Sequence, residues 1–238
     1  MIEFKERGIL LFSKISSDNN LYLKFLTDKD EILTGLCFGG STKKKKNIYQ
    51  IGYFLNLIIK KNNKNFPNSI TAELSKPYYH NIFEDKFKIH ALLSMISILN
   101  ICIIEGQKIN GIFSLSENII KILANQERWI VDYFLYLLSI LKIIGYDINF
   151  QKNIKKNYFN LHNLQFDETI SNKSVYFPHH LLLKEVNINI KNANSFFKIF
   201  EYVLENHHLI NMNLNIPVHY LKFKQIILDY LSKNEKNN

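Results

Sequence analysis

The chain has few of the residues that cross-link or sharply bend a backbone. Its 238 residues include two cysteines, four prolines and eight glycines. Cys37 and Cys102 lie in separate apolar runs, and neither has a second cysteine nearby. This spacing excludes a disulfide scaffold and a zinc site built from several cysteines. Both thiols are therefore expected to be small core residues.

Long apolar runs are also missing. No uninterrupted apolar stretch reaches the length of about 18 residues that spans a bilayer. The first residues carry charges at Glu3, Lys5, Glu6 and Arg7, where a signal peptide needs an apolar segment. We therefore expect a protein of the reducing cytoplasm, without a membrane-spanning segment.

The sequence offers no catalytic motif. It has neither a Walker A motif nor a dinucleotide fingerprint, and the order of residues 39–42 fits neither. The histidine pairs 179–180 and 207–208 lack clustered carboxylates and are expected to be surface or core residues. The carboxylates of Asp28, Asp30 and Glu31 lie at an expected hairpin tip, where solvation explains them. We expect no enzyme, no catalytic residues, no metal and no cofactor.

Alternation of apolar and polar residues dominates the first third of the chain. Leu21, Leu23 and Phe25 alternate with Tyr22 and Lys24, so Lys24 should face away from the core. Five such runs, separated by turn signals, predict a small five-stranded barrel of the oligonucleotide-binding (OB) fold. The predicted strands cover residues 8–12, 21–26, 32–38, 52–59 and 70–74.

Helical periodicity follows the barrel, which gives an α+β fold: an N-terminal OB-fold barrel (1–78) and a helical domain (79–238). Expected helices run from about residue 80 to 104, from a cap at Ser114 or Ser116, and over residues 129–144. Two more are expected after a cap at Asn194 and from Pro217, with a frayed end at residues 232–238. Residues 150–190 receive no clear assignment, except a short strand at 174–177.

Positive charge is concentrated on the predicted barrel. The chain carries 30 Lys and Arg against 21 Asp and Glu, and residues 1–80 hold 13 of the basic and seven of the acidic residues. Such an excess favours a polyanionic partner, although solubility alone can also explain it. The candidate phosphate-binding residues are Arg7, Lys14, Lys24, Lys43, Lys44, Lys45, Lys46, Lys60, Lys61 and Lys64. Tyr22, Tyr49 and Tyr53 are candidates for base stacking, or alternatively for packing within the barrel.

The order of these segments resembles the RecO family of bacterial recombination mediators over about residues 4–150. Residues 49–52, Tyr-Gln-Ile-Gly, fit a Leu-Gln-Pro-Gly stretch of that family, and residues 137–146 resemble its leucine-rich helix ending in Leu-Gly-Tyr. The remaining matching segments are residues 7–11, 23–27, 39–41 and 71–74.

This resemblance implies a protein that binds single- and double-stranded DNA at the nucleoid and anneals complementary strands. It also implies contacts with RecR and with the C-terminal tail of single-stranded-DNA-binding protein, which help RecA to load. Many family members have a cysteine zinc module after the Gly-Tyr helix. Here Asn153 stands where its first cysteine would be, so no zinc is expected.

Two further functions use the same features. The lysines would serve an RNA-binding factor equally well. Alternatively, the barrel is a scaffold and the helical half binds a partner peptide. For such a peptide, or for the C-terminal tail of single-stranded-DNA-binding protein, the predicted contacts are Arg128 and its neighbour Trp129, because a guanidinium suits a carboxylate.

Overall fold

The computed structural model describes residues 2–62, 66–75, 80–146, 148, 150, 156–183 and 188–236. The chain divides into two compact units, Met1–Asn125 and Gln126–Asn238. No helix in the described ranges has both the length and the apolar character needed to cross a membrane.

Five strands at the start of the chain form a closed barrel with the order β1-β2-β3-β5-β4. All neighbouring strands are antiparallel except β3 and β5, which pair in parallel. The predicted α+β class with an N-terminal OB-fold barrel is thereby confirmed. The strands are β1 (Ile2–Ile15), β2 (Leu21–Thr27), β3 (Ile32–Cys37), β4 (Phe54–Lys61) and β5 (Ser69–Leu74).

The interior of the barrel comes from one side of each strand. Leu21, Leu23 and Phe25 of β2 are buried in one apolar cluster with residues of the other strands. Cys37 belongs to the same cluster, and its thiol lies 3.0 Å from the hydroxyl of Tyr49. The alternating pattern therefore identified the inner face correctly, and Cys37 is the core residue expected.

β1 is much longer than predicted because it pairs with two neighbouring strands. Residues 8–15 pair with β2, and residues 2–9 pair with β4, with a register shift between Leu10 and Phe12. Such an irregularity bends a strand, so β1 can belong to both sides of the barrel.

A close approach at Gly35 brings β3 and β5 together. A Cβ atom at this position would lie 2.6 Å from the Asn68 carbonyl oxygen and 2.7 Å from the Ile70 side chain. The Leu36 amide donates to that same carbonyl at 2.8 Å. Glycine is therefore the residue that lets the two strands approach closely enough to close the barrel.

Three helices complete the first unit: α1 (His80–Glu84), α2 (Lys86–Cys102) and α3 (Ile112–Asn125). The prediction of a single helix after residue 79 is wrong, because the helix is interrupted at Asp85. The carboxylate of Asp85 accepts hydrogen bonds from the amides of Phe87 and Lys88 and so caps α2. Cys102, at the end of α2, is buried as expected, and burial raises the pKa of its thiol to about 12.

The expected cap of α3 is also wrong. The helix begins at Ile112, and Ser114 and Ser116 lie inside it. The cap comes from the β2–β3 hairpin, where the Asp30 carboxylate accepts from the amides of Gly111 at 2.8 Å and Phe113 at 2.9 Å. A carboxylate at this position also interacts favourably with the helix dipole. Asp30 is therefore a structural anchor as well as a hairpin residue.

The second unit contains α4 (Ile130–Ile143), a three-stranded antiparallel sheet, α5 (Ile190–Val203) and α6 (Val218–Lys236). α4 matches its predicted span, and α6 continues beyond the expected fraying point. The predicted cap of α5 at Asn194 is wrong, because Asn189 accepts from the Asn192 amide and begins the helix. The sheet has the order β7-β6-β8 and comprises β6 (Tyr158–Asn160), β7 (Gln165–Asp167) and β8 (Ser174–Tyr176). β8 lies within the expected strand at 174–177.

Aromatic side chains fill the second unit. Around the small sheet, the ring of Phe177 stacks on Phe150 with centroids 5.1 Å apart, and Phe166 packs edge-on against Phe177. His179 is buried beside them, and its Nε2 lies 2.8 Å from the Lys156 carbonyl oxygen. This histidine is a core residue whose ring is held by a backbone carbonyl oxygen.

Candidate nucleic-acid interface

The register of the barrel places five outward-facing side chains side by side. Lys14 pairs with Tyr22, Tyr22 with Leu36, Leu36 with Ser69, and Ser69 with Lys60. Directly paired residues share a face of a sheet, so these five form one line around the outside, the outer row. At the usual strand spacing of about 4.8 Å, the outer row spans about 19 Å. Lysines stand at both of its ends.

Exposure increases along the outer face of β2. Leu26 is fully buried, Lys24 is half-buried, and Tyr22 is 37% exposed. Since these three residues alternate with the core residues, all of them point away from the barrel interior. Part of this outer face is therefore covered by the rest of the first unit, and the part around Tyr22 is open.

Lys24 marks the boundary between the two parts. Its ammonium donates to the carbonyl oxygens of Asn100 at 2.8 Å and Ile103 at 3.4 Å, at the end of α2. A cation at this position satisfies helix carbonyls and complements the helix dipole. Burial lowers the pKa of Lys24, and the nearby charge of Glu105 partly opposes that shift. Lys24 faces away from the core as expected, but it holds a helix.

Arg7 is engaged in a similar way. Its guanidinium forms an ion pair with Glu117 of α3 and lies over the rings of Phe54 at 4.8 Å and Phe113 at 5.6 Å. Partial burial raises the pKa of Glu117, but the hydrogen bond and charge of Arg7, assisted by Lys121, outweigh it and lower the pKa overall. Arg7 therefore fastens β1 to α3.

The four consecutive lysines occupy a different environment. Between β3 and β4 the chain forms a series of turns that carries these four residues. We call residues 43–46 the lysine loop and residues 39–41 its root. All four lysines of the loop are exposed. The amides of Lys45 and Lys46 donate to the Thr42 carbonyl, which fixes the backbone of the loop. Within the ranges that the structure describes, none of the four ammonium groups pairs with a carboxylate. The loop thus presents four uncompensated charges to solvent.

Hydrogen bonds tie the start of the lysine loop to the turn between β1 and β2. The Gly39 amide donates to the side-chain oxygen of Asn20 at 3.0 Å, and the Ser41 amide donates to the Asn19 carbonyl at 3.0 Å. The same end of the barrel carries Lys14 and Tyr22, the adjacent pair in the β1–β2 register. The root of the lysine loop and that end of the outer row are therefore neighbours.

The remaining basic candidates lie on β4 and after it. Lys60 is exposed and pairs with Glu3 at 3.3 Å. The Lys61 ammonium is 5.2 Å from the centre of the Phe4 ring. Lys64 lies outside the described residues.

The three candidate tyrosines differ in accessibility. Tyr49 is buried in the barrel, and burial together with the Cys37 contact raises the pKa of its hydroxyl. Tyr53 is partly buried, with its ring 6.0 Å from that of Phe83. Tyr22 is open to solvent, packed edge-on against Phe12 at 6.5 Å. Sequence reasoning missed Phe38, which is 57% exposed directly before the two glycines that lead into the lysine loop.

The two partner-contact candidates lie in the second unit. Arg128 is exposed, whereas Trp129 is 3% exposed and packs against Phe223 with ring centroids 6.1 Å apart. Arg128 is thus accessible to a ligand, and Trp129 contributes to the core.

The chemistry of this surface suits a polyanion that also carries flat apolar groups. Exposed ammonium groups attract phosphates, and exposed rings stack on bases. Among the described residues, no three His, Cys, Asp or Glu side chains are grouped so that they could hold a metal ion.

No family model matches the chain. The relatives found among known proteins are DNA repair proteins named RecO. The chain is 26% identical over 151 residues to the DNA repair protein RecO of Rickettsia bellii, covering 63% of this chain and 62% of that relative. Identity to the RecO protein of Rickettsia canadensis is 24% over 162 residues, 66% of each chain.

A longer match is found to the DNA repair protein RecO of Wolbachia sp. subsp. Drosophila simulans. It is 24% identical over 242 residues and covers 91% of this chain and 96% of the relative. The similarity to RecO proteins therefore extends through both units of the chain, which confirms the resemblance found in its sequence.

Proposed function

We propose that this protein binds DNA through its barrel and acts in DNA repair. The lysine loop carries the proposal, because four adjacent exposed ammonium groups have no carboxylate partner in the described structure. Such groups release counterions when they neutralise phosphates, and this gives affinity that does not depend on sequence. The RecO names of the relatives support a role in repair.

Not every basic candidate has the same role in this proposal. Arg7 and Lys24 hold α3 and α2 to the barrel, so their charges are used within the protein. Lys60 forms an exposed ion pair with Glu3, which it must exchange for a phosphate. The exposed cations are assigned to DNA phosphates. These are Lys14, Lys43, Lys44, Lys45, Lys46, Lys60, Lys61 and, by its place in the sequence, Lys64.

The proposed activity is the annealing of complementary strands without catalysis. Two single strands repel each other, and a surface that neutralises phosphates lowers that repulsion. As the resemblance implies, the protein would act with RecR at the nucleoid. There it would work on strands coated by single-stranded-DNA-binding protein and assist the loading of RecA. No cofactor enters this scheme.

The first test compares two variants that remove equal charge. The first replaces Lys43, Lys44, Lys45 and Lys46 with Ala. The control replaces Lys191, Lys198, Lys222 and Lys233, four exposed lysines on α5 and α6, with Ala. Binding of a fluorescent oligonucleotide is measured by anisotropy at several salt concentrations. The loop variant should lose affinity at least about tenfold, with a log–log salt slope smaller by up to about 2.8. Equal losses in both variants would contradict a site at the loop.

A second test addresses annealing. Two complementary fluorescent strands coated with single-stranded-DNA-binding protein are mixed with the protein, in the absence of nucleotide. The wild type should accelerate annealing, the loop variant should not, and the control variant should behave as the wild type. If the wild type fails to accelerate annealing although it binds DNA, the proposed activity is wrong.

An adaptor function is the second candidate, because Arg128 is exposed and free to meet an acidic peptide. Arg128→Ala should then weaken binding to the tail peptide of single-stranded-DNA-binding protein, while Arg128→Lys retains part of it.

An RNA-binding function is distinguished from DNA binding by competition between DNA and RNA strands of the same sequence. Preference for RNA would overturn the DNA proposal.

A further inference from the structure

Two exposed aromatic rings lie where the cations of the barrel are concentrated. Tyr22 is 37% exposed on β2, and Phe38 is 57% exposed directly after β3. Single exposed apolar residues are common on protein surfaces and need no explanation. These two are different because they share one end of the barrel with Lys14 and the root of the lysine loop.

The register fixes their relation to each other. Tyr22 lies opposite Leu36 on the outer face. Cys37 is fully buried, so the alternation along the chain directs Phe38 outwards, on the same side as Leu36. The Gly39 amide bonded to Asn20 holds this end of β3 against the start of β2. The two rings are therefore about two residues apart on adjacent strands of one surface.

Both rings are accessible to solvent in the part of the chain that the structure describes. Tyr22 packs edge-on against Phe12 there. An edge-on contact leaves a ring face available to a second group. A flat apolar group that belongs to an anion suits both the rings and the surrounding lysines.

We propose that Tyr22 and Phe38 stack on the bases of single-stranded DNA while Lys14 and the lysine loop hold its phosphates. This rests on the proposed function and assigns strand selectivity to the aromatic residues. In a duplex the faces of the bases are occupied by their neighbours, so only an unpaired strand can use the two rings. The strand follows the outer row from Lys14 towards Lys60, a path of about 19 Å at the usual strand spacing.

The lysines and the rings therefore make separable contributions. Phosphate contacts act on both single strands and duplexes and weaken with salt. Stacking acts on unpaired bases and contributes through ring contact, which salt affects little. Removal of the rings should lower affinity for single strands alone and leave the salt slope unchanged.

The test measures binding of an unpaired oligothymidine, an abasic oligomer of equal length and a blunt duplex. Proteins are the wild type, Tyr22→Ala, Phe38→Ala and the double variant. Stacking contributes about 1–3 kcal/mol per base, so each single variant should bind oligothymidine at least about fivefold more weakly. Duplex binding should stay within about twofold of the wild type. Tyr22→Phe and Phe38→Tyr, which keep a ring, should bind like the wild type.

The abasic oligomer removes the bases without changing the protein. Wild-type affinity for it should fall to that of the double variant, and the double variant should not distinguish it from oligothymidine. Tyr230→Ala serves as a matched control, because Tyr230 of α6 has similar exposure, 40%, in the other unit.

The outcomes separate the two proposals. If the double variant binds oligothymidine as the wild type does, while the lysine-loop variant does not, stacking is wrong and the DNA-binding function stands. Equal losses for oligothymidine and duplex would also overturn stacking, because the rings would then not distinguish unpaired from paired strands. If the wild type binds none of the three ligands, the proposed function itself fails.

Discussion

Two regions of the barrel surface carry similar residues and use them differently. In the anchored region, Arg7 pairs with Glu117 of α3, and Lys24 donates to carbonyl oxygens at the end of α2. Asp30, in the same region, accepts from amides at the start of α3. In the open region, Lys14 and the lysine loop (residues 43–46) meet solvent beside Tyr22 and Phe38. Lys24 and Tyr22 are only two residues apart on β2, yet they lie in different regions.

The comparison shows that charge alone does not identify a binding surface. A cation that already pairs with a carboxylate or with helix carbonyls must break that interaction before it binds a phosphate. An exposed cation loses only its hydration and counterions. Substitutions in the anchored region should therefore change stability, and substitutions in the open region should change DNA affinity.

Arg7→Ala should have the largest effect on stability. It removes the ion pair and the ring contacts and leaves Glu117 partly buried without its arginine, so the free energy of unfolding should fall by about 3 kcal/mol. Urea denaturation measures the change, and Arg7→Lys should recover part of it. Oligonucleotide affinity should stay within about twofold. A loss of affinity with unchanged stability would move Arg7 into the open region.

Glu117→Gln should cost about 2 kcal/mol at pH 7, and this cost should depend on pH. The pKa of Glu117 is lowered in the folded protein from a reference value of 4.5. Its contribution is therefore complete above about pH 4.5 and is lost as pH falls through the lower folded pKa. Denaturation curves from pH 7 to 3 should show the difference from the wild type shrinking. A constant difference would show that the Arg7 pair does not depend on charge.

Asp30→Asn should destabilise the first unit by about 1 kcal/mol, because it removes the negative charge from the start of α3. Asparagine tolerates the positive φ of 62° at this position, so the hairpin is preserved. Thermal unfolding measures the loss. Asp28→Asn, at an exposed position of the same hairpin, provides the control and should have little effect.

The smallest effect on stability is expected for the variant with Ala at residues 43–46. Its free energy of unfolding should stay within about 0.5 kcal/mol of the wild type, since no described carboxylate pairs with these lysines. Urea denaturation checks this. Marked destabilisation would mean that the loop is anchored, and its loss of DNA affinity would then need another explanation.

The barrel could be predicted because its information is local. Leu21, Leu23 and Phe25 alternate with polar residues, and a period of two specifies a half-buried strand without knowledge of its neighbours. α4 was equally clear from its apolar length and from Gly145 after its end, where φ is 110°. The lysine loop could be recognised because four consecutive lysines cannot be buried together.

The predictions that were wrong or missing concern interactions between distant segments, or very short elements. The cap of α3 is Asp30, about 80 residues earlier, and Ser114 offered a plausible local alternative. The strands β6 and β7 have three residues each, too few for a period to be visible. The break at Asp85 was missed because the apolar pattern continues across it.

The sequence by itself determined the positions of the five barrel strands along the chain, the apolar face of β2 and the concentration of lysine on the first 80 residues. Periodicity and composition are properties of the sequence, so they do not depend on how the segments pack in three dimensions. The tertiary structure alone decided which charges remain available. Arg7 and Lys24 have partners more than 70 residues away, and the lysine loop has none among the described residues. Folding brings such partners together, and only then is a cation either neutralised within the protein or left for a phosphate.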